Sequence, residues 1–171
     1  MPELCMLRII FSYENMIRSI QSSGILKNIV LICDGVFTKL AYLAYPVLLI
    51  VLAAGRSGEL VRAVAVPGIS FILLSIFRYL YNAPRPYEVF GISPVIKKDT
   101  KGKSMPSRHV FSIFVIAATV YYFCHPAGIA LAAAGIVLAA ARVAGGVHFP
   151  ADVITGAVLG AACGLTGFYL I

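Results

Sequence analysis

The long apolar stretches of this chain leave few options for its fold. Between Asn28 and Ala54 the only charged residues are Asp34 and Lys39, and the stretch exceeds the ~20 residues that cross a hydrocarbon core. Inside lipid every backbone N–H and C=O must find a partner within the protein, and for one such segment that means a helix. Comparable spans follow at about Leu60–Tyr81, from Ser107 to just before His125-Pro126, at about Ala127–Ala144, and from Asp152 to Ile171. The third is short, so its first turn is expected at the water boundary. An all-α integral membrane protein of about five transmembrane helices results. At 60% hydrophobic and 12% charged residues, the composition of the 171-residue chain is far from that of a soluble domain.

Before the first span, Met6, Ile9, Ile10, Tyr13, Met16, Ile17 and Ile20 recur at helical spacing with Arg8, Ser12, Asn15, Arg18 and Ser19 between them. This pattern predicts an amphipathic helix lying in the membrane interface, closed by Ser22-Ser23-Gly24. The polar residues mixed into this segment do not have the order of a cleavable signal peptide. A single membrane-embedded domain over residues 1–171 is expected, with 1–24 interfacial and 28–171 forming the transmembrane core. Pro67-Gly68 is a potential kink, and Asp34 and Lys39 are expected to reach the interface or to pair. Cys5, Cys33, Cys124 and Cys163 are scattered singly and read as small core residues rather than as a zinc site. The formal charge of +7 sits mostly outside the apolar runs. It suits anionic headgroups or a phosphorylated substrate, and the bilayer rather than nucleic acid is the expected partner.

Three polar islands interrupt this pattern: Arg78 to Pro86, Pro106-Ser107-Arg108-His109, and Ala141 to Asp152. Two crossings separate the connection 82–106 from the loop 145–151, so all three islands lie on one face. The same parity places the amino-terminal helix on that face and the carboxyl terminus opposite.

The inventory suits phosphoryl chemistry. His148 and Asp152 bracket a proline at a helix start, where a carboxylate fixes an imidazole tautomer and supports the charge that develops when the other nitrogen attacks. His109 then becomes the natural proton donor to a leaving group. Ser107, Arg108 and His109 open a helix, whose free N–H groups favour an anion. Arg78, Arg85 and Arg142 offer forked donors to phosphoryl oxygens. Two histidines and an aspartate are also zinc ligands, but the surrounding arginines would repel the cation. Taken singly, Arg78 and Arg85 read as interfacial anchors, and His109 and Asp152 as ordinary helix-start residues; their concurrence carries the functional reading. His125 reads as structural, and the Lys97–Lys103 cluster as a solvated or headgroup-contacting loop.

These islands resemble the tripartite signature of the type 2 phosphatidic acid phosphatase (PAP2) superfamily, K-x6-R-P, P-S-G-H and S-R-x5-H-x3-D. Arg78 stands at the lysine position before Arg85-Pro86, Pro106-Ser107-Arg108-His109 matches the second pattern, and Ala141-Arg142, His148 and Asp152 match the third. The resemblance implies His148 as nucleophile forming a phosphohistidine, Asp152 as its orienting partner, and His109 as general acid. Arg78, Arg85, Ser107, Arg108 and Arg142 would bind phosphate, with no metal or other cofactor. The implied substrate is a membrane lipid phosphate or diphosphate of the phosphatidate, phosphatidylglycerophosphate, undecaprenyl diphosphate or lipid A type. A phosphotransferase using the same histidine and a non-catalytic lipid-binding or transport protein are the alternatives. Three positions depart from the pattern: Arg78 for lysine, Ala141 for serine and Arg108 for glycine. The last adds a cation that would favour a diphosphate. The site face carries Arg8, Arg18, Lys27, Lys97, Lys98, Lys101 and Lys103 against Arg56 and Arg62 opposite. The positive-inside rule thus favours a cytoplasmic site. The family resemblance instead implies the outer face of a bacterial cytoplasmic membrane, and that is the expectation adopted.

Overall fold

The computed structural model describes residues 2–98 and 100–170, with side chains from Ser12 onward. Among these residues there is no strand, and the helices run α1 (Pro2–Ser22), α2 (Gly24–Ala54), α3 (Leu60–Tyr81), α4 (Pro86–Phe90), α5 (Arg108–Phe123), α6 (His125–Ala144) and α7 (Pro150–Tyr169). By length and apolarity α2, α3, α6 and α7 can each cross a bilayer. Isoleucines and leucines such as Ile32, Leu43, Ile72, Ile129 and Ile154 point outward from them, as lipid-facing surfaces require.

α5 is the exception. Its 16 residues rise only about 24 Å at the helical repeat, less than the ~30 Å hydrocarbon thickness. It does not face lipid along its length, because α2, α3, α6 and α7 all pack against it. Phe111, Ile113, Val115, Ala117 and Val120 of α5 lie buried with Leu74, Leu131, Ala134 and Leu138. α7 comes closest. A Cβ on Gly156 would stand 2.7 Å from the Ser107 carbonyl oxygen, so only glycine lets the two backbones approach this far. The Ser107 amide donates to the Asp152 carbonyl across that contact at 2.8 Å.

α3 continues through Pro67-Gly68 as a single helix. The proline lacks the N–H that would bond the Ala63 carbonyl, and the Tyr45 hydroxyl donates to that carbonyl instead, at 3.0 Å. At the site-bearing end, Ile17 of α1 packs with Val30, Val95, Ile96 and Val147. Leu52, Ala63 and Phe168 cluster at the other end. The first cluster places the amino-terminal helix beside the loops as the crossing parity requires. Met6, Ile9 and Ile10 lie outside the residues whose side chains are described. The polar connection contains α4, which the sequence pattern did not anticipate. Cys163 is half-buried and packs against the core as expected, whereas Cys33 is only half-buried and Cys124 is exposed, all three as free thiols; Cys5 lies outside the described side chains.

Candidate active site

The α6–α7 turn aims the histidine. Gly146 adopts φ 76°, in the left-handed region, and the Gly145 carbonyl accepts the Val95 and Ile96 amides at 3.0 and 3.2 Å. The turn thereby carries the 92–98 loop on its back. His148 follows, then Phe149 as the α7 N-cap and Pro150 at the first helical position. Asp152 sits in the first turn, where the helix dipole favours a carboxylate. Its Oδ2 accepts the Phe149 amide at 3.0 Å and the Ser104 hydroxyl at 2.5 Å. The same oxygen lies 3.3 Å from His148 Nδ1. With Nδ1 turned to the carboxylate, Nε2 is the nitrogen left for chemistry. Burial pushes the His148 imidazole down to about 4, against the opposing pull of Asp152, so the ring is neutral and its free nitrogen is a lone-pair donor at physiological pH.

A cavity of about 460 Å³ opens in front of His148. Arg78, Arg85, Lys98, Lys101, Lys103, Arg108 and His109 line it, and among the described residues no carboxylate does. Arg85 is almost fully buried, and donates through Nε to the Gly102 carbonyl at 2.9 Å and through Nη1 to the Val147 carbonyl at 3.1 Å. Arg78, in the last turn of α3, donates to the carbonyls of Ser104 and Lys103. Both guanidiniums are thus oriented by neutral acceptors, and neither forms an ion pair with a described carboxylate, which makes the cavity a receptor for an anion. Lys98 is half-buried, and burial together with Arg85, Arg142, Arg108 and Arg78 lowers its ammonium to about 8.

Of the residues singled out from sequence, Arg78, Arg85, Arg108, His109 and His148 line the cavity. Asp152 lies behind His148. Ser107 and Arg142 lie off the cavity lining: the buried Ser107 hydroxyl has no hydrogen-bond partner, and Arg142 pairs with Asp34 of α2 at 2.7 Å. Arg108 is exposed, with its guanidinium carbon 5.6 Å from the Phe71 ring centre, so it occupies the cavity rim.

Four participants were not assigned to the site from the sequence. Ser104 touches Asp152 directly, yet stands outside the motif spacing. Lys98 lines the cavity rather than extending into solvent. Asp34 drew attention as an intramembrane acid, but its partner Arg142 lies on a distant helix. Tyr13 shares its hydroxyl proton between the carbonyls of Val143 and His148 at 3.0 and 3.2 Å; burial holds this phenol well above its ordinary range, so it remains a donor. Its ring meets those of Phe90 and Phe149.

An all-helical membrane bundle with a carboxylate-held histidine facing a cationic cavity defines a class of anion-processing membrane proteins. The chain belongs to the PAP2 superfamily, whose family model matches residues 59–171. It is similar in structure to Aquifex aeolicus LpxE, with 25% identity and a TM-score of 0.67 over 90% of this chain and 92% of that one. It is also similar to a transmembrane PAP2 type phosphatidylglycerolphosphate phosphatase from Bacillus subtilis, with 17% identity and a TM-score of 0.63 over 94% of this chain and 92% of that one. No curated protein matches the sequence.

Proposed function

We propose that the chain is a membrane lipid phosphatase that works through a phosphohistidine. The observation that carries this reading is the Asp152 carboxylate at His148 Nδ1, set directly behind an anion-accepting cavity. The Nε2 lone pair of His148 attacks phosphorus as the bond to the lipid oxygen breaks, and His109 gives that oxygen its proton. Water then attacks the phosphohistidine, His109 takes the water proton, the P–N bond breaks, and phosphate leaves. Asp152 supports the imidazolium character in between. Arg78 and Arg85 stabilise charge on the phosphoryl oxygens, which supplies without a metal ion what a cation supplies in other phosphoryl-transfer sites.

The substrate is a phosphorylated membrane lipid. Lys98, Lys101, Lys103 and Arg108 add cationic charge beyond the two buried arginines, which favours a headgroup carrying more than one phosphate, such as a lipid diphosphate, over a monoester. Their use at the cavity also removes these loop lysines from the topology signal, in keeping with a site on the outer face of a cytoplasmic membrane. A single cysteine at Thr100, an exposed cavity residue, should be labelled by an impermeant reagent in intact cells; protection until lysis would reverse the orientation.

The test of function is phosphate release in detergent, with chelator present, from a panel of lipid mono- and diphosphates. Turnover that persists with chelator and vanishes in His148→Ala is expected, with acid-labile phosphate trapped on the wild-type chain. A folded wild type that releases no more phosphate than the variant across the panel would refute the phosphatase and favour a lipid-binding role.

A further inference from the structure

Arg142 follows the third island's spacing but does not line the cavity. It occupies the last turn of α6, 4% exposed, with Nε 2.7 Å from Asp34 Oδ1. That contact is one of charge and not of alignment, because neither atom completes a hydrogen bond. The remaining tie, from Nη2 to the Thr38 hydroxyl, is stretched to 3.5 Å. A well-seated arginine–carboxylate pair makes two parallel hydrogen bonds; this one makes neither. Asp34 is also the one acid in the predominantly apolar α2, a place where a carboxylate is costly and generally has a task.

The position of the pair supplies the rest. Thr38 and His109 border one small void, and His109 also lines the main cavity. Arg142 is thereby linked to the wall of the main cavity through Thr38 and the void that Thr38 shares with His109. In the empty cavity an unpaired Arg142 would add to the repulsion among Arg78, Arg85 and Lys98. An arriving phosphoryl dianion reverses the sign of that interaction.

We propose that Asp34 is a positioning residue that holds Arg142 in reserve, and that the phosphoryl group draws this guanidinium away from the carboxylate as it binds. Departure of inorganic phosphate returns Arg142 to Asp34, so the carboxylate competes with bound phosphate and hastens its release. The inference rests on the phosphatase reading for its biological setting, but its test needs no turnover.

Orthophosphate binding to the purified full chain in detergent is measured by calorimetry for wild type, Asp34→Asn, Arg142→Gln and the double variant. Asp34→Asn is expected to bind phosphate about tenfold more tightly, a change of about 1.4 kcal/mol. In the Arg142→Gln background the same substitution should have no effect. Where the lipid is turned over, kcat and KM should fall together in Asp34→Asn, the signature of slowed product release. Unchanged or weaker phosphate binding by Asp34→Asn overturns the proposal. So does an equal gain in the Arg142→Gln background, or a wild type that binds no orthophosphate. Should Asp34→Asn fail to fold, Thr38→Val removes the second tie and should tighten phosphate binding in the same direction, by about twofold; no gain there is equally fatal. Phosphate binding that follows this pattern without release from any lipid would refute the phosphatase while leaving the role of Asp34 standing.

Discussion

Replacing Ser104 with alanine removes one hydroxyl from a place where nothing else substitutes for it. Ser104 is fully buried, and its Oγ donates at 2.5 Å to the Asp152 oxygen that also faces His148 Nδ1 and receives the Phe149 amide. Hydrogen bonds to charged groups contribute roughly 1.5–3 kcal/mol. The amide and the imidazole stay in place, so part of the loss appears as lower stability and part as a looser imidazole. Assigning about 1.4 kcal/mol to the barrier predicts a tenfold slower chemical step. Ser104 lies off the cavity lining, so KM should hold. Single-turnover phosphate release from a lipid monophosphate in mixed micelles measures the step directly. Because the Ser104 hydroxyl acts mainly through the Asp152 carboxylate, with His148 Nδ1 a longer 3.4 Å away, adding Ser104→Ala to Asp152→Asn should cost clearly less than tenfold. A folded Ser104→Ala protein with the wild-type rate, or a full tenfold loss in both backgrounds, would refute this reasoning.

Tyr13→Phe removes the proton shared between the Val143 and His148 carbonyls; a loss of about 1 kcal/mol should lower the unfolding temperature in detergent and slow turnover several-fold as the His148 turn loosens. Lys98 loses its charge as pH rises through about 8, and its protonated form is the one that attracts an anion. Orthophosphate inhibition should therefore weaken across that pH in the wild type, while Lys98→Met should be inhibited less at lower pH and should lack the step. Gly156→Ala sets a methyl group 2.7 Å from the Ser107 carbonyl between two backbones that cannot both stay in place. A cost of about 1–3 kcal/mol should register as a lower unfolding temperature, and a spread α5–α7 contact should slow release of phosphate.

The spans were legible because apolar length and backbone hydrogen bonding leave a membrane segment little choice. α3 has the limits expected, between the Gly55–Glu59 turn and Asn82, whose left-handed backbone ends the helix. The islands were legible for a related reason: arginine, histidine and aspartate near apolar segments are rare enough for their spacing to carry meaning. What escaped depends on contacts between distant parts of the chain. α4 is five residues long, too short for a periodic signal, and its Glu88 carboxylate is fixed by the Arg85 and Gly102 amides at 2.8 Å. The hydroxyl of Ser104, rather than that of the motif serine Ser107, meets the Asp152 carboxylate because the Ala83 carbonyl holds the Ser104 amide at 2.9 Å and turns the loop inward. Lys98 looked solvated because no local pattern reveals that Val95 and Ile96 are anchored on the Gly145 carbonyl. Asp34 was visible as an anomaly, but its partner arises only from the packing of α2 on α6.

The brevity of α5 has a further consequence for a lipid substrate. A central helix about 6 Å shorter than the hydrocarbon is thick makes the middle of the bundle thinner than the bilayer around it, and His109 stands in the first turn of that helix. For the lipid phosphatase proposed above, a substrate would bring only its phosphate to such a site, with its tail still among its neighbours. Once the phosphorus–oxygen bond is cut, the dephosphorylated lipid remains in a two-dimensional oil and the phosphate drains into bulk water. The products are parted by phase as they form, so the return reaction is starved by dilution.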